Sequence, residues 1–181
     1  MVKKALLIID RGSKMKEVRD ELQETCDLIK DKTEYEYVDY CFLEVIPPFI
    51  DEGIKKCINY GVDSVTIVPY FLYPGMKLKD AVKRSASLIH SEKKKMVITK
   101  PLSYQPMISE IVLDRIQTLI SQKGLAVDKE LCLLLIGHGS SDKRAREAFL
   151  FTVKCLKAVY QNVKFCFLEL EPPNIEEGFK E

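Results

Sequence analysis

Short apolar runs alternate with amphipathic stretches along the first 122 residues: KALLII (4–9), YEYVDYCFL (35–43), SVTIVPYF (64–71) and KMVITK (95–100) read as strands, and 14–30, 48–60, 78–92 and 106–122 as helices. ALLII and VTIV are apolar on both alternations, which is the pattern of strands covered on both faces, so the order predicts a parallel sheet sandwiched by helices. Within 17–30, Val18, Leu22, Cys26 and Ile29 recur at helical spacing and form one apolar stripe. Ile108, Ile111, Val112, Leu119 and Ile120 mark a mostly apolar face on the fourth helix, interrupted by Arg115. SQKGLAVDKE, polar and carrying Gly124 behind that helix, reads as a linker over about residues 121–130. Beyond it LCLLLIGHGS predicts a strand and turn, 142–160 a helix, VKFCFLEL a strand, and Pro173 the start of one more helix.

The pattern repeats in detail. CFLEVIPPFIDEGIKK (41–56) returns as CFLELEPPNIEEGFKE (166–181) with 10 of 16 positions identical, and LLIIDRGSK (6–14) answers LLLIGHGSS (133–141), at offsets of 125 and 127 residues. Self-similarity of this kind means one unit read twice. The expected domains are 1–124, a first complete unit, and 131–181, a partial second unit with the first half (βαβ) only. The fold class is therefore α/β, a doubly wound parallel four-stranded sheet plus half of a second. Counterparts of the third and fourth strands are missing from 131–181, so the expectation is a second unit cut short, which leans on the first because two strands bury little apolar surface.

Composition narrows the partners. With 28 basic and 27 acidic residues the formal charge is +1, so the broad basic field of a nucleic-acid or anionic-membrane binder is absent. The chain has no apolar run of about 18 residues, and MVKKALLIID is too short for a signal peptide; the expectation is a cytoplasmic protein with no membrane and no nucleic acid among its partners. Six cysteines form no CxxC pair and fall mostly in apolar segments, which predicts buried reduced thiols.

In an open parallel sheet ligands bind beyond the carboxyl ends of the strands, which singles out three places. After strand one stand Asp10, Arg11, Gly12 and Ser13, answered by Gly137, His138, Gly139 and Ser140; after strand two, Glu44 and Glu169, each leading into Pro-Pro; after strand three, PYFLYPGMKLKD (69–80). His138 between two glycines on a strand-to-helix turn is the strongest candidate, as metal ligand or proton acceptor, against the plainer role of a turn-capping histidine. Glu169, one strand over, can complete a metal site or orient the ring, and Glu44 sits at the altered equivalent place; a solvated strand-end carboxylate is the alternative for each. The turn lacks GxxxxGK[ST] spacing, is not GxSxG, and fails GxGxxG because residue 142 is Asp. The other histidine, His90, ends a Lys-rich helix and reads as solvated.

A doubly wound unit with a GHGS turn, then FLEL with prolines, then a VPYFLYPG loop resembles the class II chelatases, specifically the sirohydrochlorin cobalt and iron chelatase family, over essentially the whole chain. The resemblance implies insertion of Co2+ or Fe2+ into the tetrapyrrole sirohydrochlorin, with the divalent metal as substrate and no organic cofactor. It places a catalytic and metal-binding histidine at His138 and puts Arg11 at the same position of the first unit; Glu169 is expected as a second metal ligand from its strand-end position beside that histidine. A second family histidine maps to Lys77, and its second-unit counterpart to about residue 202, by adding the 125-residue offset. The first unit thus reads as the degenerate partner that shapes the pocket, and residues 1–181 by themselves are expected to be a poor catalyst. Substrate contacts are expected from Arg11, Ser13, Glu44, Leu72, Tyr73, Pro74, Gly75, Met76, Lys77, Gly139 and Ser140, and bases such as Lys14, Lys79, Lys143 and Arg144 can also pair the carboxylates of the macrocycle. A non-catalytic tetrapyrrole or metal carrier is the rival reading, and a phosphate-binding module a more distant one. Histidine and carboxylate suit either metal, and a homodimer is left open.

Overall fold

The structure, a computed structural model, describes residues 2–73, 75–127 and 131–180. The first elements follow the expected order: β1 (Lys4–Asp10), α1 (Lys16–Lys32), β2 (Tyr37–Phe42), α2 (Ile50–Asn59), β3 (Ser64–Pro69), α3 (Met76–Ser91) and β4 (Lys95–Ile98). All four strands are parallel, in the order β2-β1-β3-β4. After a turn of 3-10 helix at Leu102–Tyr104 come α4 (Pro106–Lys123), β5 (Cys132–Gly137), α5 (Lys143–Lys157), β6 (Asn162–Phe167) and α6 (Ile175–Lys180), with β5 and β6 paired in parallel.

Alternation along β1 explains the double coverage of the first sheet. Ala5, Leu7 and Ile9 pack with Ile50, Ile54 and Cys57 of α2 and Ala81 and Ile89 of α3, while Leu6 and Ile8 pack with Leu22 and Cys26 of α1. The double coverage read from ALLII and VTIV does not extend to β4, the edge strand of the order, where Val97 and Ile98 are exposed. Four of the six thiols are buried as expected, whereas Cys155 is only partly covered and Cys132, on β5, is exposed.

By compactness the chain divides into Met1–Leu72 with Met76–Pro101, and Tyr73–Gly75 with Leu102–Glu181. The repeat in sequence puts its boundary some twenty residues later, after α4. The physical reason is the face of α4 that packs: Val112, Leu113, Ile116 and Ile120 join Phe149, Val153 and Leu156 of α5 and Val163 and Phe167 of β6 in one core. The half sheet thus gains its missing cover from α4. Part of the expected linker, residues 128–130, lies outside the described residues; α4 itself ends at Lys123.

Each repeat copy is locked by one close approach. A Cβ at Gly53 of α2 would lie 2.7 Å from the Cβ of Cys41, and one at Gly178 of α6 would lie 2.6 Å from that of Cys166, so helix and strand touch only because glycine faces cysteine. Glu52 and Glu177 reach back to the backbone N–H of Phe49 (2.6 Å) and Asn174 (2.7 Å), fixing both helix starts. No helix among the described residues is long and apolar enough to cross a membrane.

Candidate active site

The turn after β5 carries His138, and the exit of β6 is stitched to it: Leu168 N–H donates to the Gly137 carbonyl (2.8 Å) and Glu169 N–H to that of His138 (3.1 Å). This places the two side chains side by side, with His138 Nε2 3.4 Å from Glu169 Oε1. Both are open, with 73% and 58% of their side-chain surface exposed, so an incoming ion meets no barrier. Nδ1 lies 3.3 Å from the Gly139 carbonyl; a proton held there leaves the Nε2 lone pair pointing at the carboxylate. Gly139 sits at φ 93°, and a Cβ on it would overlap the Glu169 carbonyl oxygen, so the close passage of the two loops requires glycine.

Beside His138 lies a cavity of about 190 Å³ lined by Tyr73, Gly137, Gly139, Ser140, Ala145, Arg146, Phe149, Phe167 and Glu171. Its floor is aromatic, with Phe149 and Phe167 5.1 Å apart and Tyr73 edge-on to Phe149. Burial pushes the Tyr73 phenol up. Two residues that sequence reasoning left out of the site hold this wall together. Glu171, 12% exposed, accepts from the Ser140 N–H (2.9 Å) and from Arg146 Nη1 (2.7 Å), and the same guanidinium caps the Pro172 carbonyl and lies 5.1 Å from the centre of the Phe167 ring. Arg19 occupies the place of Arg146 in the repeat and donates to Pro47 as Arg146 does to Pro172, so the repeat signals the arginine, whereas Glu171 answers Ile46 and carries no such signal.

Of the expected site residues, Tyr73, Gly139 and Ser140 meet His138 at this cavity, and Glu169 meets the ring at its edge. The Ser140 hydroxyl accepts from the Asp142 N–H (3.1 Å), a local turn bond, and Ser13 does the same for Met15 (3.1 Å). Arg11, Glu44 and Lys77 form their own group in the first unit: Arg11 Nε lies 2.9 Å from one Glu44 oxygen and Lys77 Nζ 2.6 Å from the other. Leu72 and Met76 are exposed, Gly75 is partly covered, and Pro74 lies outside the described residues. Among the other bases expected to pair carboxylates, Arg144 is bound to Asp142 (2.9 Å).

The CbiX family model matches residues 5–119 and 132–181. The chain belongs to the CbiX family. It is 25% identical over 178 residues to a sirohydrochlorin ferrochelatase of Priestia megaterium, covering 96% of this chain and 65% of that protein. It is 29% identical over 119 residues to a sirohydrochlorin cobaltochelatase of Sulfolobus acidocaldarius, covering 66% of this chain and 94% of the relative. The chain thus spans about two thirds of the length of the first relative and nearly all of the second. SirB from Bacillus subtilis with Fe3+ superposes with a TM-score of 0.86 at 23% identity, over 99% of this chain and 71% of that one, a likeness of fold. Within the CbiX family, then, this chain offers one imidazole–carboxylate pair and one cation–carboxylate cluster at equivalent turns.

Proposed function

We propose that this chain serves the insertion of a divalent metal, Co2+ or Fe2+, into sirohydrochlorin, with His138 as the group that receives the metal and hands it on. The observation that carries the proposal is the His138–Glu169 separation of 3.4 Å at an open turn. An ion bonded at about 2.1 Å to both atoms would subtend an angle of about 108°, close to tetrahedral. Among the described residues no group of three or more His, Cys, Asp or Glu could hold a metal, so the two donors leave the remaining positions to water and to pyrrole nitrogens. Weak, incomplete coordination suits an ion that is substrate rather than resident. Insertion releases two pyrrole protons as the metal enters; Glu169 beside the ring, and the imidazole once it has given up the ion, are the bases at hand.

The aromatic cavity of about 190 Å³ is below the roughly 300–1,000 Å³ of sites that enclose a drug-sized ligand. It would take a substituent at the rim of the macrocycle, with Tyr73, Gly139 and Ser140 along its edge. Leu72, Pro74, Gly75 and Met76 belong to the loop that would approach the macrocycle face, and Ser13 to the first turn. Relatives named for ferrochelatase and for cobaltochelatase activity support the reaction class. The setting is expected to be cytoplasmic.

The test is Co2+ and Fe2+ insertion into sirohydrochlorin, followed by the absorbance of the macrocycle. His138→Ala should lower the rate at least about a hundredfold, the scale of a lost acid–base or ligand group. Glu169→Gln should lower it about tenfold to a hundredfold, as orienting partners of metal ligands do. An unchanged rate in His138→Ala sinks the proposal, and tight metal binding without insertion would make the protein a carrier.

A further inference from the structure

Arg11 and His138 occupy the same position of the repeat and each faces the equivalent glutamate, but the first turn sets two fixed cations on that carboxylate where the second sets one imidazole. Glu44 is held by two cations on its two oxygens, Arg11 Nε at 2.9 Å and Lys77 Nζ at 2.6 Å, so the cluster carries one net positive charge. Only Nε of Arg11 is spent on this contact; its two terminal nitrogens and the remaining ammonium protons of Lys77 have no partner among the described residues. Both side chains are more than half exposed, at 65% and 51%. Lys77 also stands in the first turn of α3, a 16-residue helix with no acidic residue in that turn, so the helix dipole adds to the positive field.

We propose that Arg11 and Lys77 form a carboxylate clamp in which Glu44 is the resting occupant, and that a carboxylate of the polycarboxylate macrocycle docks on the free edges of the two cations while a divalent metal is repelled. The first unit is thereby a second, anion-selective site and not an empty copy of the metal site. Guanidinium recognises a carboxylate through paired N–H donors, and an ammonium adds a point charge, which together match one carboxylate better than either alone. Glu44 keeps the two long side chains together and competes with the ligand, so its neutralisation should strengthen binding. This inference rests on the proposed substrate being a polycarboxylate tetrapyrrole, but its test is independent of metal.

The experiment is a metal-free titration of the 15N-labelled chain, with benzene-1,2,4,5-tetracarboxylate as a small probe and with sirohydrochlorin in a second arm, read by amide and Arg Nε–H shifts. Both ligands should move the Arg11 Nε–H and the Gly12 and Glu44 amides. Arg11→Ala and Lys77→Ala should each weaken binding about tenfold, E44Q should tighten it severalfold, and His138→Ala should leave the tetracarboxylate affinity as it was. Equal affinity in wild type, Arg11→Ala and Lys77→Ala overturns the clamp, and weaker binding in E44Q overturns the role of Glu44 as competitor. Shifts with the small probe but none at Arg11 with sirohydrochlorin would assign the clamp to free polycarboxylates and remove the link to the macrocycle. No metal insertion, with carboxylate binding at Arg11 intact, would leave the clamp standing; metal insertion without carboxylate binding at Arg11 would remove the clamp alone.

Discussion

The turns after β1 and after β5 are the same piece of backbone carrying different chemistry. Leu43 donates to Asp10 (2.9 Å) as Leu168 does to Gly137 (2.8 Å), Glu44 to Arg11 as Glu169 to His138 (both 3.1 Å), and Phe42 to Pro48 (2.7 Å) as Phe167 to Pro173 (2.9 Å). Gly12 and Gly139 share positive φ, at 103° and 93°, and each is closed off by the carbonyl of the facing glutamate. On that common frame one turn sets an imidazole beside a carboxylate and the other sets two cations on one. The scaffold therefore resides in the glycines, the Cys–Gly contacts and the stitched loops, and the two copies differ in the charge of a few side chains set on it.

If the frame is common, damaging it should cost the same in both copies. Gly12→Ala and Gly139→Ala each force an L side chain into a left-handed conformation and against a carbonyl, a penalty of about 3 kcal/mol. Hydrogen exchange at the Leu43 amide in the first variant and the Leu168 amide in the second should accelerate about a hundredfold, at about 1.4 kcal/mol per tenfold. A large effect in one copy and none in the other would break the equivalence.

A smaller effect sharpens the difference in charge. The hydrogen bond from Lys77, and then that from Arg11, hold the Glu44 carboxyl below the usual carboxylate range. A lowered folded-state pKa means the pairing is intact above the ordinary glutamate pKa and is lost as pH falls through the depressed value. A carboxyl 13C titration should give Glu44 a midpoint that rises in Lys77→Ala and rises less in Arg11→Ala. Because the cluster is solvent-exposed, overall stability should hardly change across that window. An identical midpoint in Lys77→Ala would deny the contact.

Much of this is legible in the chain. Apolar runs and the repeat place all six strands and set His138 near Glu169 at strand ends, because parallel pairing aligns the ends of neighbouring strands; the Arg11–Glu44 ion pair at the equivalent ends is a finding of the structure. The partnership of α4 was not legible: an amphipathic stripe says that a helix packs, but not against which sheet, and here α5 is the partner. Glu171 and Arg146 escaped because their pairing spans 25 residues and depends on a loop path that alternation does not describe. Lys77 was reached only through a family pattern; it opens α3, which packs beside α2 and β3, and its salt bridge to Glu44, 33 residues away, is not carried by any alternation in the sequence.

Whether equivalent turns have opposite ionic preference is tested directly by paramagnetic Co2+. Titrated into the 15N-labelled chain, Co2+ should broaden and shift the amides around His138 and Glu169 while those of Arg11, Gly12 and Glu44 stay in place. Equal perturbation of both turns, or perturbation of the Arg11 turn alone, would contradict it.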